Sequence, residues 1–294
     1  MSHKMDVGIG LPSHIPGVDG TTIIEWARRA DEHGFASVAV IDRIIYDNYE
    51  PLTVLAAAAA VTKRARLTTA ILIGPLRTNT ALLAKQVASI DALSNGRMVL
   101  GIAVGGRQDD FAAAGVNLKG RGKILDQQID EMRRIWAGES RGTAGAIGPK
   151  PVHKPLFIMG GHSEGAIKRA ARLADGWIMG GGATPDGFKK AAAHFNEVWS
   201  AHGRQDRPRL MALNYFGIGP DAAESARINV RHYYSFAGPY AEQVAKGILT
   251  SDAEIAERIA GLEQAGCDEV VMLPGSPNLE QVDLLATVAL SRRG

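Results

Sequence analysis

Apolar residues follow two periods along this chain, and the two periods alternate. Short runs rich in β-branched residues are typical of buried parallel strands. Each is followed by a stretch with apolar residues three and four positions apart, which is typical of a helix. The pattern predicts a first strand at Asp6–Leu11. Seven further strands are predicted in the runs SVAVID, RLTTAILI, RMVLGIAV, LFIM, GWIMG, RLMALNYFGI and EVVML.

Polar residues mark where several of the intervening helices begin and end. Thr22 and Glu25 have the spacing of a capping box at the start of the first helix, and Gly34 predicts its end. Asn79 is predicted to cap a later helix, and the spacing of a second capping box begins at Ser251. These start signals agree with the strand–helix alternation of the apolar positions.

Eight strand–helix units in 294 residues, with no linker and no break in composition, predict a closed (β/α)8 TIM barrel of the α/β class. Residues 1–294 are then expected to form a single domain. An open doubly wound sheet is the alternative architecture. In a barrel, the loops that follow the strands form the face where active sites lie, so candidate chemistry is sought there.

Composition narrows the class further. The chain is 46% hydrophobic and 22% charged with a net charge of +2, and it has no basic stripe that would indicate nucleic-acid binding. The longest apolar run, Leu52–Val61, is too short to span a bilayer, and the N-terminal residues do not read as a signal peptide. The single cysteine, Cys267, excludes an internal disulfide and fits a cytoplasmic protein.

The run GHSEG, residues 161–165, matches the Gly-x-Ser-x-Gly pattern of a hydrolase nucleophile elbow. Such a hydrolase needs an acid and then a histidine later in the chain than the serine. The histidines after Ser163 all fall in predicted helices, and they are His194, His202 and His232. Because no histidine follows the last strand, the elbow interpretation is rejected.

The same turn has the composition of a phosphate-binding site. Gly160 and Gly161 let the backbone approach an anion closely, and Ser163 can cap the following helix and donate its hydroxyl. A cofactor or substrate that carries phosphate is the predicted ligand. The alternative is a plain strand–helix turn with a serine cap.

Charged residues follow the second and fourth predicted strands, at the expected active-site face. Asp42 and Arg43 end the second strand, and Arg107 follows the fourth. We predict that Asp42 and Arg107 are catalytic and that Arg43 belongs to the substrate pocket. Ion pairs that only shape the loops are the alternative, and Asp110 is expected to fix its loop.

Three further residues are candidates for the same face. His14 follows the first strand and can act as an acid or base near neutral pH. Tyr46 and Tyr234 are predicted to line an apolar substrate pocket, with helix packing or a dimer contact as the alternative.

Motifs for other cofactors are absent from the sequence. It contains no His-Glu-x-x-His and no Cys-x-x-Cys, so no metal site is predicted. No Gly-x-Gly-x-x-Gly follows a strand, so a tightly held dinucleotide is not indicated. No lysine ends a strand as a Schiff-base barrel would require.

The segment TTAILIGPLRTNTALLAKQVASIDALSNGRMVLGIAVGGRQDDFAAAG resembles the luciferase-like flavin-dependent oxidoreductases, relatives of bacterial luciferase and of deazaflavin-dependent reductases. The features that match are Leu-Ala-Lys at 83–85, the run at 91–97, Leu-Gly at 100–101 and Asp-Phe at 110–111. The blocks EWARRADEHGFASVAVID and KPLFIMGGHSEGAIKRAARLADGWIMG are similar to the family as well. Together these blocks extend the resemblance over about residues 6–291.

The resemblance implies a barrel that holds reduced FMN, or alternatively the deazaflavin coenzyme F420, across its C-terminal face. It implies that the coenzyme phosphate lies at the turn of residues 160–163 and that the peptide bond between Ala70 and Ile71 is cis. The coenzyme contacts predicted on this basis are Ala70, Ile71, Gly105, Met159, Gly160, Gly161, His162, Ser163 and Gly180.

Three places depart from the family pattern. Gly106 stands where a tryptophan or an acidic residue is common, and Thr78-Asn79 stands where a His-Pro pair is common. The loop of residues 42–46 lacks the histidine that is usual for luciferase-type chemistry. These departures bear on the substrate and on the type of reaction.

The sequence therefore predicts an FMN-dependent monooxygenase that acts on a small organic substrate with O2. Since no nicotinamide fingerprint is present, a separate reductase is expected to supply reduced flavin. Hydride transfer with coenzyme F420 is the alternative within this class. A non-catalytic flavin-binding barrel, or less readily an aldolase or isomerase barrel, is the alternative outside it. The resemblance implies a homodimer, and neither a nucleic-acid nor a membrane partner is expected.

Overall fold

A closed parallel β-sheet forms the centre of the computed structural model, which describes residues 4–291. The strands run in the order β3-β2-β1-β9-β8-β7-β6-β5-β4, and an additional pairing of β3 with β5 closes the ring. The strands are β1 (Asp6–Gly10), β2 (Ser37–Val40), β3 (Arg66–Thr69), β4 (Leu72–Ile73), β5 (Met98–Ala103), β6 (Leu156–Gly160), β7 (Gly176–Met179), β8 (Arg209–Phe216) and β9 (Glu269–Pro274).

The third predicted strand is the one that the structure divides in two. The peptide bond between Ala70 and Ile71 is cis, as the family resemblance implies, and it separates β3 from β4. β3 pairs with both β2 and β5, whereas β4 pairs with β5 alone. Counting β3 and β4 as one strand gives eight, so the predicted (β/α)8 barrel is confirmed. That the whole chain forms a single domain stays a prediction.

Helices surround this barrel and connect its strands. They are α1 (Gly20–His33), α2 (Pro51–Val61), α3 (Thr80–Leu93), α4 (Gln108–Ala113), α5 (Arg121–Trp136), α6 (Glu164–Leu173), α7 (Pro185–Ala201), α8 (Pro220–Tyr233), α9 (Pro239–Lys246), α10 (Asp252–Gln264) and α11 (Glu280–Leu290). Short 3-10 turns lie at Pro12–His14, Gly74–Leu76 and Ser235–Ala237. Within residues 4–291, no helix combines the length and the apolar character needed to cross a bilayer.

The capping box predicted at Thr22 and Glu25 is wrong. Asp19 is the N-cap of α1 instead, and its carboxylate accepts a hydrogen bond from the Thr21 amide at 3.1 Å. Aspartate caps a helix as well as threonine does, so the helix starts earlier, and Thr22 and Glu25 lie inside it. The predicted end of α1 at Gly34 is confirmed, because that residue has φ +89° in the left-handed region.

The other predicted helix starts are confirmed. Asn79 caps α3 through the Leu82 amide, at 2.9 Å. Ser163 caps α6, and Ser251 forms a complete capping box with Glu254 at the start of α10. In each case a side-chain oxygen satisfies an amide that the helix leaves without a partner.

Alternate residues of each strand pack on opposite sides of the sheet. On β8, Leu210 and Ala212 face the surrounding helices, whereas Met211, Leu213 and Tyr215 belong to the cluster inside the barrel. The inner cluster is therefore mostly aliphatic, and Tyr215 and Tyr233 belong to it as well. Cys267 is buried, in agreement with a packing role.

Charged side chains close the opposite, amino end of the barrel. Glu269 of β9 is 1% exposed and accepts hydrogen bonds from Arg66 at 2.9 Å and from Arg209 at 2.7 Å. Both guanidinium groups also reach Asp6 of β1, and Ser37 of β2 donates to Glu269. This polar plug, formed by Asp6, Ser37, Arg66, Arg209 and Glu269, leaves the other end of the barrel as the entrance for a ligand.

Candidate active site

A cavity of about 330 Å³ opens at the carboxyl ends of the barrel strands. Its wall includes residues that follow β2, β5, β6 and β7, together with the segment between α8 and α9. Ten of the predicted site residues line it, and they are Asp42, Ala70, Ile71, Gly105, Arg107, Gly160, Gly161, His162, Gly180 and Tyr234. The other five, His14, Arg43, Tyr46, Met159 and Ser163, lie outside its lining.

The glycine turn at the end of β6, Gly160 and Gly161, has no room for side chains. A Cβ atom at Gly160 would lie 2.8 Å from Cδ1 of Ile71, beside the cis peptide. Gly161 has φ +127°, and a Cβ there would lie 2.7 Å from the Cβ of Ala166. The Trp177 indole donates to the Gly161 carbonyl at 2.9 Å, which fixes the turn. These positions therefore require glycine. Because neither residue has a side chain, the cavity has a groove along the backbone of the turn.

The amino end of α6 borders this groove. The Ser163 hydroxyl accepts a hydrogen bond from the Ala166 amide at 3.3 Å, so the side chain caps the helix. The first amides of a helix carry partial positive charge and commonly bind phosphate. Partial burial beside Trp177 lowers the pKa of His162, which keeps this imidazole neutral near pH 7. The turn therefore leads into the start of a helix, which is the kind of position where phosphate commonly binds.

Aliphatic side chains line the interior of the cavity, and they are Ile41, Ile71, Ile73, Leu76, Ile178 and Leu213. A flat heteroaromatic ring fits such walls, because they offer dispersion contacts and exclude water. The groove and the apolar interior therefore fit a coenzyme with a planar ring at one end and phosphate at the other. Among residues 4–291, no cluster of three or more potential metal ligands occurs.

Asp42 is held in an ion pair rather than left free. Its carboxylate makes a bidentate interaction with Arg77, with one contact at 3.0 Å, and it accepts from the Ile73 amide at 2.8 Å. Burial raises the pKa of Asp42, and the positive charge of Arg77 limits that rise. This arrangement ties the loop after β2 to the loop after β4, so the carboxylate is rigidly positioned at the cavity wall.

Two arginines meet on one backbone carbonyl at the rim. Arg43 and Arg107 both donate to the carbonyl oxygen of Tyr233, at 3.1 Å and 3.5 Å. The Arg107 guanidinium also lies over the ring of Phe236, with Cζ 3.9 Å from the ring centroid, and its Nη1 is buried without a partner. The second bond of Arg43 goes to Asp109 at 3.1 Å. Arg107 thus brings a positive charge to the cavity wall.

Asp110 fixes the loop after β2, whereas the sequence predicted that it fixes its own loop after the fourth predicted strand. Its carboxylate accepts from the Ile44 amide at 3.0 Å and from the Ile45 amide at 2.7 Å. The side chain is 2% exposed, and it belongs to α4, which follows β5. The loops after β2 and β5 are therefore joined on this side of the cavity.

Tyrosines form another part of the cavity wall. The hydroxyls of Tyr215 and Tyr234 are 3.2 Å apart, and both residues line the cavity. Tyr233 reaches the Asp42 carbonyl through its hydroxyl at 3.4 Å. Burial raises the pKa of all three phenols, which remain neutral across the physiological range. Tyr46 lies farther out, where its hydroxyl contacts Nδ1 of His232 at 2.9 Å.

His14 lies behind this wall. Its side chain is buried, with ring centroids 6.2 Å from Tyr215 and 6.0 Å from Tyr233, and its Nδ1 has no partner. Burial lowers the pKa of His14 to about 4, so the imidazole is neutral at pH 7. The structure therefore separates His14 from the cavity by the two tyrosine rings, and its predicted catalytic role stays a prediction.

Features of the cavity that were not predicted from the sequence include Arg77 as the partner of Asp42, and the wall residues Tyr215 and Gly181. Tyr215 carries a signal that could have identified it, because it occupies an inward position near the carboxyl end of a barrel strand. Arg77 carries no such signal, since its pairing with a residue 35 positions away depends on the fold.

Comparison with known proteins identifies the family of the chain. The sequence model of the luciferase-like monooxygenase family matches residues 5–266, and the chain belongs to this family. Its members are oxidoreductases, so the chain is an oxidoreductase.

Relatives with similar sequences have been found in several bacteria. An uncharacterised protein of Mycobacterium tuberculosis is 32% identical over 193 residues, which are 62% of this chain and 67% of the relative. An FMNH2-dependent dimethylsulfone monooxygenase of Pseudomonas fluorescens is 29% identical over 193 residues. That match covers 62% of this chain and 51% of the relative, so it spans about half of the longer protein.

Solved structures share the fold over nearly the whole chain. An F420-dependent secondary alcohol dehydrogenase with an F420–acetone adduct has a TM-score of 0.84 at 18% identity, covering 99% of this chain and 100% of its own. The oxygenating constituent of 3,6-diketocamphane monooxygenase from Pseudomonas putida, in complex with FMN, has a TM-score of 0.75 at 17% identity. That match covers 98% of this chain and 99% of the other. At these identities the likeness concerns the fold.

Proposed function

We propose that this protein is an FMN-dependent monooxygenase that oxidises a small organic substrate with O2. The observation that carries the proposal is the glycine turn at Gly160 and Gly161, which faces an aliphatic cavity beside the cis peptide. Bound reduced flavin supplies the two electrons that activate oxygen. The FMNH2-dependent dimethylsulfone monooxygenase among the relatives supports the choice of FMN.

In this proposal the coenzyme phosphate binds at residues 160–163. Backbone amides of the turn and the amino end of α6 donate to it, and the Ser163 hydroxyl adds a further donor. The ring lies against Ala70 and Ile71, with Gly105, Gly180 and His162 around it. Met159, which is buried directly before the turn, supports the strand end.

The protein's own residues then control access and charge. Arg107 provides positive charge at the wall, and Asp42, held by Arg77, keeps two loops at a fixed separation. Arg43 is buried outside the cavity lining with its guanidinium over the Tyr46 ring, so these two residues support the wall from behind rather than line the interior. The aliphatic walls exclude water from the reaction.

Hydride transfer with coenzyme F420 is the second candidate. It is favoured by the agreement in fold with the F420-dependent secondary alcohol dehydrogenase, which extends over the whole of both chains. The same groove serves either coenzyme, because both carry phosphate and a three-ring system. The difference is chemical, since the deazaflavin transfers a hydride without using oxygen.

Titration of the purified protein with each coenzyme, followed by absorbance, distinguishes the candidates. Tight binding of FMN, with oxygen consumption when reduced flavin and a substrate panel are supplied, supports the monooxygenase. Oxidation or reduction of F420 without oxygen consumption supports the second candidate. Failure of both coenzymes to bind would contradict the proposed function.

Two further expectations belong to this proposal. A separate reductase supplies the reduced flavin, which a coupled assay with a flavin reductase would detect as restored turnover. The protein forms a homodimer in the cytoplasm, and sedimentation equilibrium of the purified protein measures the oligomeric state directly.

A further inference from the structure

A network of hydrogen bonds lies behind one wall of the cavity. Gln128 of α5 is 3% exposed, and its Nε2 atom donates to the Gly74 carbonyl at 3.1 Å and to the Arg77 carbonyl at 2.8 Å. Gly74 is the first residue of the 3-10 turn Gly74–Leu76, and Arg77 directly follows the last. One amide of α5 therefore holds both ends of the turn.

Arg77 extends this network to the end of β2. Its guanidinium makes the bidentate interaction with Asp42 described above, and it reaches Glu50, the N-cap of α2, at 3.3 Å. The Asp42 carboxylate in turn accepts from the Ile73 amide at 2.8 Å, and Ile73 directly precedes the 3-10 turn. The contacts thus return to the turn where they began.

The side chains that this network fixes belong to the cavity wall. Asp42, Ile73 and Leu76 line the cavity, whereas Arg77 and Gln128 lie outside its lining. Any effect of the two outer residues on a ligand must therefore pass through the wall. Such indirect contacts matter, because a misplacement of about 1 Å in a site can cost an enzyme about 100-fold in rate.

Gln128 interrupts the apolar face of α5, which otherwise buries Leu125, Ile129 and Met132. A buried amide is unfavourable unless its polar atoms have partners. Both hydrogen bonds that this side chain makes go to the turn, and, among the residues that the structure describes, Oε1 has no partner. A Cβ atom at Gly74 would lie 3.1 Å from that oxygen, so the turn and the amide are in close contact. The buried amide therefore stabilises the turn and not its own helix.

We propose that Gln128 and Arg77 are positioning residues for the coenzyme, which hold the turn Gly74–Leu76 and the Asp42 carboxylate against the space that the coenzyme ring occupies. Neither residue touches the coenzyme. The inference rests on the proposed function, in which the ring binds among the aliphatic side chains of the cavity. It gives α5, a helix on the outside of the barrel, a part in the site.

Binding of FMN to variants of the two residues tests this proposal, and F420 replaces FMN if the wild type binds only F420. Gln128→Met keeps the size of the side chain and removes its donors. Arg77→Gln removes the ion pair, and Arg77→Lys keeps the charge without the bidentate geometry. Gln127→Met is the matched control, because this neighbouring side chain of α5 is exposed. The affinity and the visible absorption spectrum of the bound coenzyme are measured under conditions where urea unfolding shows each variant to be folded.

In Gln128→Met the affinity for the coenzyme should fall about 3- to 10-fold, the value of one net hydrogen bond. In Arg77→Gln it should fall about 10-fold or more, and Arg77→Lys should restore part of this loss. The absorption bands of the bound coenzyme should move towards those in water, because a displaced wall admits solvent. A residue with only a structural role would lower stability and leave the spectrum unchanged. The double variant Gln128→Met with Arg77→Gln should lose less than the sum of the single losses, since both act on one turn.

A measurement without coenzyme examines the network itself. The ¹³C signal of the Asp42 carboxyl, assigned with Asp42→Asn, reports the pKa of this group in aspartate-labelled protein. Burial raises the pKa of Asp42, the positive charge of Arg77 lowers it, and the negative charge of Glu50 adds to the rise. Arg77→Gln should therefore raise the pKa further. Gln128→Met should raise it to a smaller extent, because a displaced turn loosens the ion pair.

Three results would overturn the proposal. The first is wild-type affinity and spectrum in folded Gln128→Met or in folded Arg77→Gln. The second is an equal loss of affinity in Gln127→Met, which would attribute the effect to the helix in general. The third is a pKa of Asp42 that Arg77→Gln leaves unchanged. Failure of the proposed function is a separate result, since the wild type then binds neither coenzyme, while the titration of Asp42 still tests the network.

Discussion

The proposed coenzyme site depends on individual residues. Two glycines contribute by having no side chain, and one serine contributes by its hydroxyl group. Gly160 and Gly161 leave backbone where any other side chain would contact Ile71 or Ala166. Ser163 contributes an oxygen that already caps α6. Because one residue has both a structural and a proposed binding role, a substitution that preserves the first role isolates the second.

Replacing Ser163 with aspartate is such a substitution. Aspartate caps a helix as well as serine, so the free energy of unfolding should be unchanged or slightly higher. The added negative charge repels a phosphate at the turn, and coenzyme affinity should fall about 10- to 100-fold. Fluorescence titration with FMN or F420 measures the affinity.

Asn79→Asp provides the matched control for this experiment. It adds the same charge at another helix cap, that of α3, outside the cavity lining. Coenzyme affinity should stay at the wild-type value in this control. Equal affinity of Ser163→Asp and the wild type would place the phosphate elsewhere.

His14 gives a prediction for the pH dependence of stability. Its pKa is about 4 in the folded protein and about 6.5 when unfolded, so below pH 6.5 the unfolded chain binds the proton more readily. The stabilisation that the neutral imidazole allows is complete above pH 6.5 and is lost as the pH falls towards 4. Between pH 7.5 and 5 the loss amounts to about 2 kcal/mol.

Urea unfolding of the wild type and of His14→Gln at both pH values checks this expectation. The glutamine variant cannot titrate, so its loss of stability over the same interval should be about 2 kcal/mol smaller. Identical losses in the two proteins would mean that His14 has an ordinary pKa in the folded state.

At the scale of elements, local signals predicted most of the architecture. The alternation of strand and helix patterns identified all eight strands, and the caps at Asn79, Ser163 and Ser251 were read directly from side-chain chemistry. Local signals failed where two neighbouring residues compete for one role. Asp19 and Thr22 are both good caps, and only the packed helix reveals which one is used.

The cap of α1 provides a test at this scale. Asp19→Ala removes the side chain that accepts from the Thr21 amide and should lower the free energy of unfolding by about 1 kcal/mol. Thr22→Ala should change it by only a few tenths, because this residue lies inside the helix. Chemical denaturation of both variants measures the difference, and the reverse order would restore the capping box predicted from the sequence.

Part of the cavity was predictable from the positions of residues relative to the strand ends. Residues at or shortly after strand ends, such as Asp42, Arg107 and Gly160, were found because a barrel places these strand ends on one face. Tyr215 was missed because it lies within a strand and reads as a core residue. Arg77 was missed because its ion pair with Asp42 joins two separate loops. No sequence motif or residue spacing indicates such a contact.

At the scale of the whole molecule, the two ends of the barrel differ in the chemical character of their side chains. The carboxyl end is open and lined mostly by aliphatic and aromatic groups, with Asp42, Arg107 and His162 among them, whereas the amino end is closed by the polar plug. Its centre, Glu269, is almost completely buried between Arg66 and Arg209. Stability of the barrel should therefore depend on this carboxylate more than on any surface ion pair.

Glu269→Gln removes the buried negative charge and leaves Asp6 as the carboxylate that pairs with both guanidinium groups. The expected loss in the free energy of unfolding is about 3–5 kcal/mol, typical of breaking a buried pair from one side. Glu32→Gln, which breaks an exposed pair with Arg28, should cost less than about 1 kcal/mol. Urea unfolding at pH 7.5 compares them, and similar small losses would show that the plug is dispensable.

The carbonyl of Tyr233 has a consequence for how this fold can diversify. One oxygen receives hydrogen bonds from Arg43, after β2, and from Arg107, after β5, while the chain that bears it ends α8. Three segments that are far apart in the sequence are thus joined at a single hydrogen-bond acceptor. Replacing only one of these segments with that of a related enzyme would remove one of the two hydrogen bonds or displace their shared acceptor. We therefore expect new substrate preferences to evolve through coordinated changes in all three segments.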